Sequence, residues 1–204
     1  MTRPVVAWLY GDLVCPWSYL ALARLRRIEA RLPVAVGWRP LRRSRDEAAA
    51  VSMPDPLATV GWSADAQEGP GRGLAALDLP YDPPARVPDS SAALRAIEFA
   101  ADLGPRVRDR VLDGLFRAHF SGEARLDDRS SLLAACDALG LDREGLGAAL
   151  EDGRYDGELS AAEAEADRYG IDAVPVILLG RRKVIGAAPV ELLATLVRQA
   201  LADD

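Results

Sequence analysis

A chain of 204 residues that is 50% apolar and 27% charged can bury a substantial core, which places it among folded globular proteins. Its formal charge of −6 argues against a nucleic-acid partner, because neutralising phosphates takes a concentrated basic surface. One histidine and two cysteines cannot complete a four-ligand zinc site, and no apolar stretch approaches the roughly 18 to 20 residues of a membrane span, so neither a metal nor a membrane is expected.

The run Val5–Tyr10 is β-branched and aromatic and breaks at Gly11-Asp12, which predicts a buried strand. With only Arg3 before it and no small-residue cleavage site after it, this run is too short for a secretory signal, and a cytoplasmic location is expected. From Pro16, apolar residues recur at three- and four-residue steps through Trp17, Ala21, Leu25, Ile28 and Leu32, predicting a long amphipathic helix up to Pro33. Arg24 interrupts that stripe, and its charge is expected to reach water along an apolar stem. Val34–Trp38 predicts a second strand and completes a β-α-β opening.

Residues 40 to about 88 carry prolines at 54, 56, 70, 80, 83, 84 and 88, so little beyond short helical turns is expected there; such a length suits a lid or a bridge to a subdomain. Helices follow: one capped by Asp89 or Ser90 and ending at Leu103-Gly104, one from Pro105 to about Phe120, one after Asp128 ending at Gly140, and one from Asp142 to about Leu150. The last part returns to mixed structure. A helix from about Gly157 to Tyr169 precedes strands at Val174–Leu179 and Arg182–Ile185, and Pro189 opens a final helix to about Leu201. The order is α/β at both ends around an all-helical block, which divides the chain into a discontinuous domain (1–45 and 157–204) and a connection plus helical insertion (46–156).

Chemistry concentrates at Cys15-Pro16-Trp17-Ser18, where the first strand turns into the first helix. A sulfur at a helix start meets unpaired amides and the positive end of the dipole, which favours thiolate; Pro16 fixes the helix start. The competing reading is a small buried hydrophobe, and the two stay open on these residues alone. Cys136 shares helical spacing with Leu132, Leu133 and Leu139 and reads as an inert core thiol. His119 follows Phe116 by three residues and reads as packed or at a rim. Arg39, Arg42, Arg43 and Arg45 form a basic run that is able to attract an anionic thiol but is by default a solvated face. Trp8, Trp17 and Tyr19 are assigned to the core ahead of a groove.

The segment Asp12-Leu13-Val14-Cys15-Pro16-Trp17-Ser18-Tyr19-Leu20 resembles the DsbA family of thioredoxin-fold proteins, in its FrnE-like and 2-hydroxychromene-2-carboxylate isomerase-like branch. Leu79-Pro80-Tyr81-Asp82 with Arg86-Val87-Pro88-Asp89-Ser90, and Val174-Pro175-Val176-Ile177 with Gly186-Ala187-Ala188-Pro189, extend the likeness over most of the chain, residues 42–75 excepted. The resemblance implies a thioredoxin-like fold with a helical insertion and a cis-proline at Pro175 opposite Cys15. It further implies that Val174 and Pro175, with Pro16 and Trp17, contact the substrate. Where dithiol members carry a second cysteine this chain has Ser18, which hydrogen-bonds but cannot resolve a disulfide. Glutathione-using isomerases and kappa-class transferases have serine in place of Cys15, so the sequence stands between the subgroups.

The expectation is therefore a monothiol thiol-disulfide oxidoreductase, with Cys15 and Ser18 as the catalytic pair and protein or small-molecule disulfides as partners. Glutathione or another low-molecular-weight thiol would act as cosubstrate, with no tightly bound cofactor and with a homodimer left open. A glutathione-dependent isomerase or transferase, and a non-catalytic thiol-binding protein, are the alternatives.

Overall fold

A computed structural model describes residues 4–42 and 69–203. Strand β1 (Val5–Gly11) lies between β2 (Val34–Pro40), to which it is parallel, and β3 (Val176–Leu179), to which it is antiparallel; β4 (Arg182–Ile185) completes the four-stranded order β2-β1-β3-β4. The parallel β1–β2 pair needs a crossover, and α1 (Pro16–Glu29) supplies it. Helix α2 (Gly69–Ala75) enters the helical block, which continues through α3 (Ser91–Asp102), α4 (Pro105–Phe120), α5 (Arg129–Ala138) and α6 (Arg143–Glu151). Helix α7 (Asp156–Arg168) leads back to the sheet, and α8 (Val190–Ala202) follows the terminal hairpin.

Alternation along β1 sorts its side chains to two faces. Ala7 and Leu9 join the main core with α1, α8 and the insertion, whereas Tyr10 packs with Ala166, Ile171 and Val176 beneath α7. Main-core residues such as Leu94, Leu115 and Leu132 from the insertion share one apolar cluster with Leu9, Leu25 and Val197 from around the sheet. At its centre Tyr19 of α1 stacks on Phe116 and Phe120 of α4, both at 5.3 Å, and Trp38 of β2 meets Phe116 edge-on at 5.9 Å.

Several boundaries differ from the sequence reading. Helix α1 stops at Glu29 rather than at Leu32, because Leu32 precedes Pro33 and a residue before proline is pushed out of helical conformation. The Arg31 and Leu32 amides both fold back onto the Ile28 carbonyl. Strand β2 runs two residues further, to Pro40, at the sheet edge where proline costs no ladder bond. Strand β3 begins at Val176, not Val174, because the Val174–Pro175 peptide is cis and forms the turn before it. Arg24 does not simply reach water: its guanidinium donates to the Ala187 carbonyl across from α1. Of the long connection, residues 43–68, including Arg43 and Arg45, lie outside the described residues.

Candidate active site

The end of β1 builds the site. The Cys15 amide donates to the Asp12 carbonyl at 3.1 Å and the Asp12 carboxylate accepts from the Val14 amide at 3.3 Å, closing a tight turn between strand and helix. Cys15 is the N-cap of α1 in extended conformation, with Pro16 at the first helical position. Gly11 is required beside it. A Cβ there would lie 2.8 Å from the Trp38 ring and 3.2 Å from Ser18 Cβ, so Trp38 reaches the floor of the site only because β1 ends in glycine.

Ser18 is fully buried and accepts from the Asp12 amide at 3.3 Å. On the opposite side the Cys15 thiol donates to the Val174 carbonyl at 3.9 Å. The turn that carries this carbonyl is pinned by the Gly186 amide, which donates to Pro175 at 2.8 Å. Pro16, Trp17 and Val174 are half-buried and Pro175 is buried. The six residues predicted to form the site thus come together from two ends of the chain, at the edge where β1 and β3 meet α1.

The expected activation of Cys15 is not found. Cys15 is 2% exposed, and burial pushes its thiol up from the ordinary value. The Ser18 hydroxyl and the backbone amides of Ser18 and Trp17 pull it down, as a helix start should, and the Asp12 carboxylate adds to the rise. Desolvation of the thiolate outweighs these hydrogen bonds, so the net shift is upward. The sulfur is buried while its neighbours Pro16, Trp17 and Val174 are half-buried.

Other candidates resolve differently. Cys136 is fully buried, and burial pushes its thiol up to about 12, so it is a core residue. His119 is 3% exposed, packs edge-on to Phe120 at 4.7 Å, and is held neutral mainly by burial. Arg39 lies 3.8 Å above the Trp8 ring and 3.3 Å from Glu165, which also accepts from the Tyr10 hydroxyl; Arg42 grips Glu163 at 2.6 and 2.9 Å. The basic run therefore spends these two charges on α7. Trp8 is half-buried against the smaller cluster, Trp17 lies against the main core, and Tyr19 is wholly inside it. A cleft of about 310 Å³ opens between the loop at Asp82–Pro88 and His119, Arg125 and Asp127, and none of the predicted site residues lines it. Tyr81, in the loop before α3, lies on the Phe120 ring at 5.8 Å.

A cysteine capping the first helix, opposite a cis-proline turn on a mixed sheet, with a run of helices between β2 and β3, defines a thioredoxin-like α/β fold with a helical insertion. The chain belongs to the DSBA-like thioredoxin domain family, whose sequence pattern it matches over residues 8–198. A probable DsbA oxidoreductase from Streptomyces coelicolor has a similar structure, with 28% identity, 98% of this chain and 91% of the other covered, and a TM-score of 0.75. A 2-hydroxychromene-2-carboxylate isomerase superposes at TM-score 0.74 and 16% identity over 97% of both chains. The cytosolic disulfide reductase DsbM from Pseudomonas aeruginosa, solved with GSH, gives 0.60 at 18% identity over 98% and 96%. The last two likenesses are of fold. No curated protein matches the sequence. Among the described residues no helix is long and apolar enough to cross a membrane.

Proposed function

We propose that this protein is a monothiol thiol-disulfide oxidoreductase in which Cys15 is the single reacting sulfur. The observation that carries the reading is the placement of that sulfur between Ser18 and the Val174 carbonyl at the cis-proline turn. Cys15 loses its proton to solvent, and the thiolate attacks one sulfur of a disulfide. A Cys15 mixed disulfide forms, the second sulfur leaves as a thiolate, and solvent returns a proton to it. An external thiol then attacks the substrate sulfur of the mixed disulfide and releases Cys15, because Ser18 has no sulfur to do so. Ser18 stabilises charge on Cys15 during both steps, and Val174 presents backbone to the bound chain. Low-molecular-weight thiols of the glutathione kind suit the second step, and the cytoplasm, where thiols stay reduced, suits the whole cycle.

One observation favours a second reading. A Cys15 that stays protonated and donates a hydrogen bond would serve an isomerase or transferase that polarises a bound glutathione without bonding to it. Incubation with glutathione disulfide, read by intact mass, separates the two. The first reading expects a glutathione adduct that disappears in Cys15→Ser and on addition of excess reduced glutathione. Saturable binding of reduced glutathione without an adduct, retained in Cys15→Ser, would support the second.

A further inference from the structure

Resting on the oxidoreductase reading, we infer that Arg24 is a positioning residue, its guanidinium holding the Val174 turn against the helix that Cys15 caps so that the site can engage the peptide backbone of disulfide-bonded chains. Arg24 breaks the apolar stripe of α1 and is half-buried, and a charge in such a place costs stability unless a polar group meets it. The group that meets it is the Ala187 carbonyl, which accepts from Nη1 at 2.5 Å. Ala187 is fully buried in the short link between β4 and α8. Helix α2 packs on the same stretch of α1 with a glycine. A Cβ at Gly73 would fall 2.7 Å from Leu20 Cδ2 and 3.5 Å from Arg24 Nη2.

The residue before Ala187 fixes the active-site turn. The Gly186 amide donates to the Pro175 carbonyl at 2.8 Å, and Pro175 follows Val174, whose carbonyl accepts from the Cys15 thiol at 3.9 Å. These links close a ring: Cys15 through α1 to Arg24, across to Ala187 and Gly186, on to Pro175 and Val174, and back to the sulfur. The two partners of the Cys15–Val174 contact are thus also held to one another at Arg24, about two and a half turns along α1. Arginine suits that link, because its planar, permanently charged guanidinium loses less freedom per hydrogen bond than an ammonium and bonds a carbonyl more strongly than a neutral donor does. Packing alone would be served as well by an unbranched apolar side chain. A carbonyl that pairs with the backbone of a bound chain has to be held within about 0.5 Å of its productive place. A small disulfide without peptide groups makes no such demand and needs only the sulfur.

Arg24→Met keeps an apolar stem and removes the donor. The rate of Cys15 mixed-disulfide formation is measured with two symmetric disulfides, one of a cysteine-containing pentapeptide and one of 2-mercaptoethanol, alongside hydrogen exchange at the Gly186 amide. The expected result is a loss of about tenfold or more with the peptide disulfide, the size of one hydrogen bond to a charged group, and of less than about twofold with the small one. Exchange at Gly186 is expected to quicken while the β1 amides stay unchanged. Arg24→Lys, which restores a charged donor, should recover part of the peptide rate. If Arg24→Met does not fold, Arg24→Gln, a neutral and shorter side chain, is read in its place with the same expectation. Equal losses with both disulfides, as a purely structural role would give, no loss with the peptide, or unchanged exchange at Gly186 overturns the inference. If the parent protein itself forms no Cys15 adduct with either disulfide, the oxidoreductase reading fails instead; exchange at Gly186, which needs no substrate, then reports on the hold of Arg24 alone.

Discussion

Replacing Ser18 by cysteine is expected to give the protein a general protein-disulfide reductase activity well above that of the parent. Ser18 lies in the first turn of the helix that Cys15 caps and is fully buried, so a sulfur at this position falls within disulfide reach. The hydroxyl accepts from the Asp12 amide, and a thiol retains that role in weaker form. The change matters at the second chemical step. In the proposed cycle an external thiol has to collide with the parent's mixed disulfide; in Ser18→Cys the second sulfur would attack from within, with the advantage that proximity confers on intramolecular reactions. Turnover of a protein disulfide under a fixed reductant is expected to rise on the order of 100-fold, and release of the substrate becomes independent of thiol concentration. A folded Ser18→Cys protein with parental turnover would count against Cys15 and Ser18 as the reacting pair.

Phe116→Ala is expected to cost about 3–5 kcal/mol of unfolding free energy, at the upper end for a buried aromatic. Phe116 is fully buried, stacks on Tyr19 of α1, and meets Trp38 of β2 edge-on, so it joins the helical insertion to the sheet and to the helix that Cys15 caps. Because those contacts belong to one core, the loss should appear as a lower midpoint of a single denaturant transition. Two separated transitions in the parent protein would show that the insertion and the sheet do not share their stability.

Local signals in the sequence carry the elements well, and the reason is that they are set by neighbours. Pro16 and Pro105 open helices, while Gly140 and Gly170 end them in the left-handed conformation a side chain resists, so α1, α4, α5 and α7 could be read almost to the residue at those ends. The meeting of Cys15 with Val174 and Pro175, 159 residues later, followed from a family resemblance, because no periodicity encodes such a distance. What escaped was the sign of the Cys15 shift. Position at a helix start is visible in sequence and lowers a thiol's pKa; burial by distant elements and the field of Asp12 depend on the folded packing and raise it. The pairing of Arg39 and Arg42 with Glu165 and Glu163 escaped for the same reason.

The account turns on Cys15 as a shielded thiol that reacts once ionised, and the pH dependence of its alkylation, followed residue by residue with iodoacetamide and mass spectrometry, tests this most directly. Thiolate fraction sets the rate, so a thiol whose pKa is raised should react more slowly than a free-cysteine peptide at neutral pH and continue to gain rate above the pH where the peptide levels off. Cys15 is expected to follow that profile and Cys136 to remain unlabelled until the protein unfolds. A Cys15 rate already level at neutral pH, or Cys136 labelled first, would contradict it.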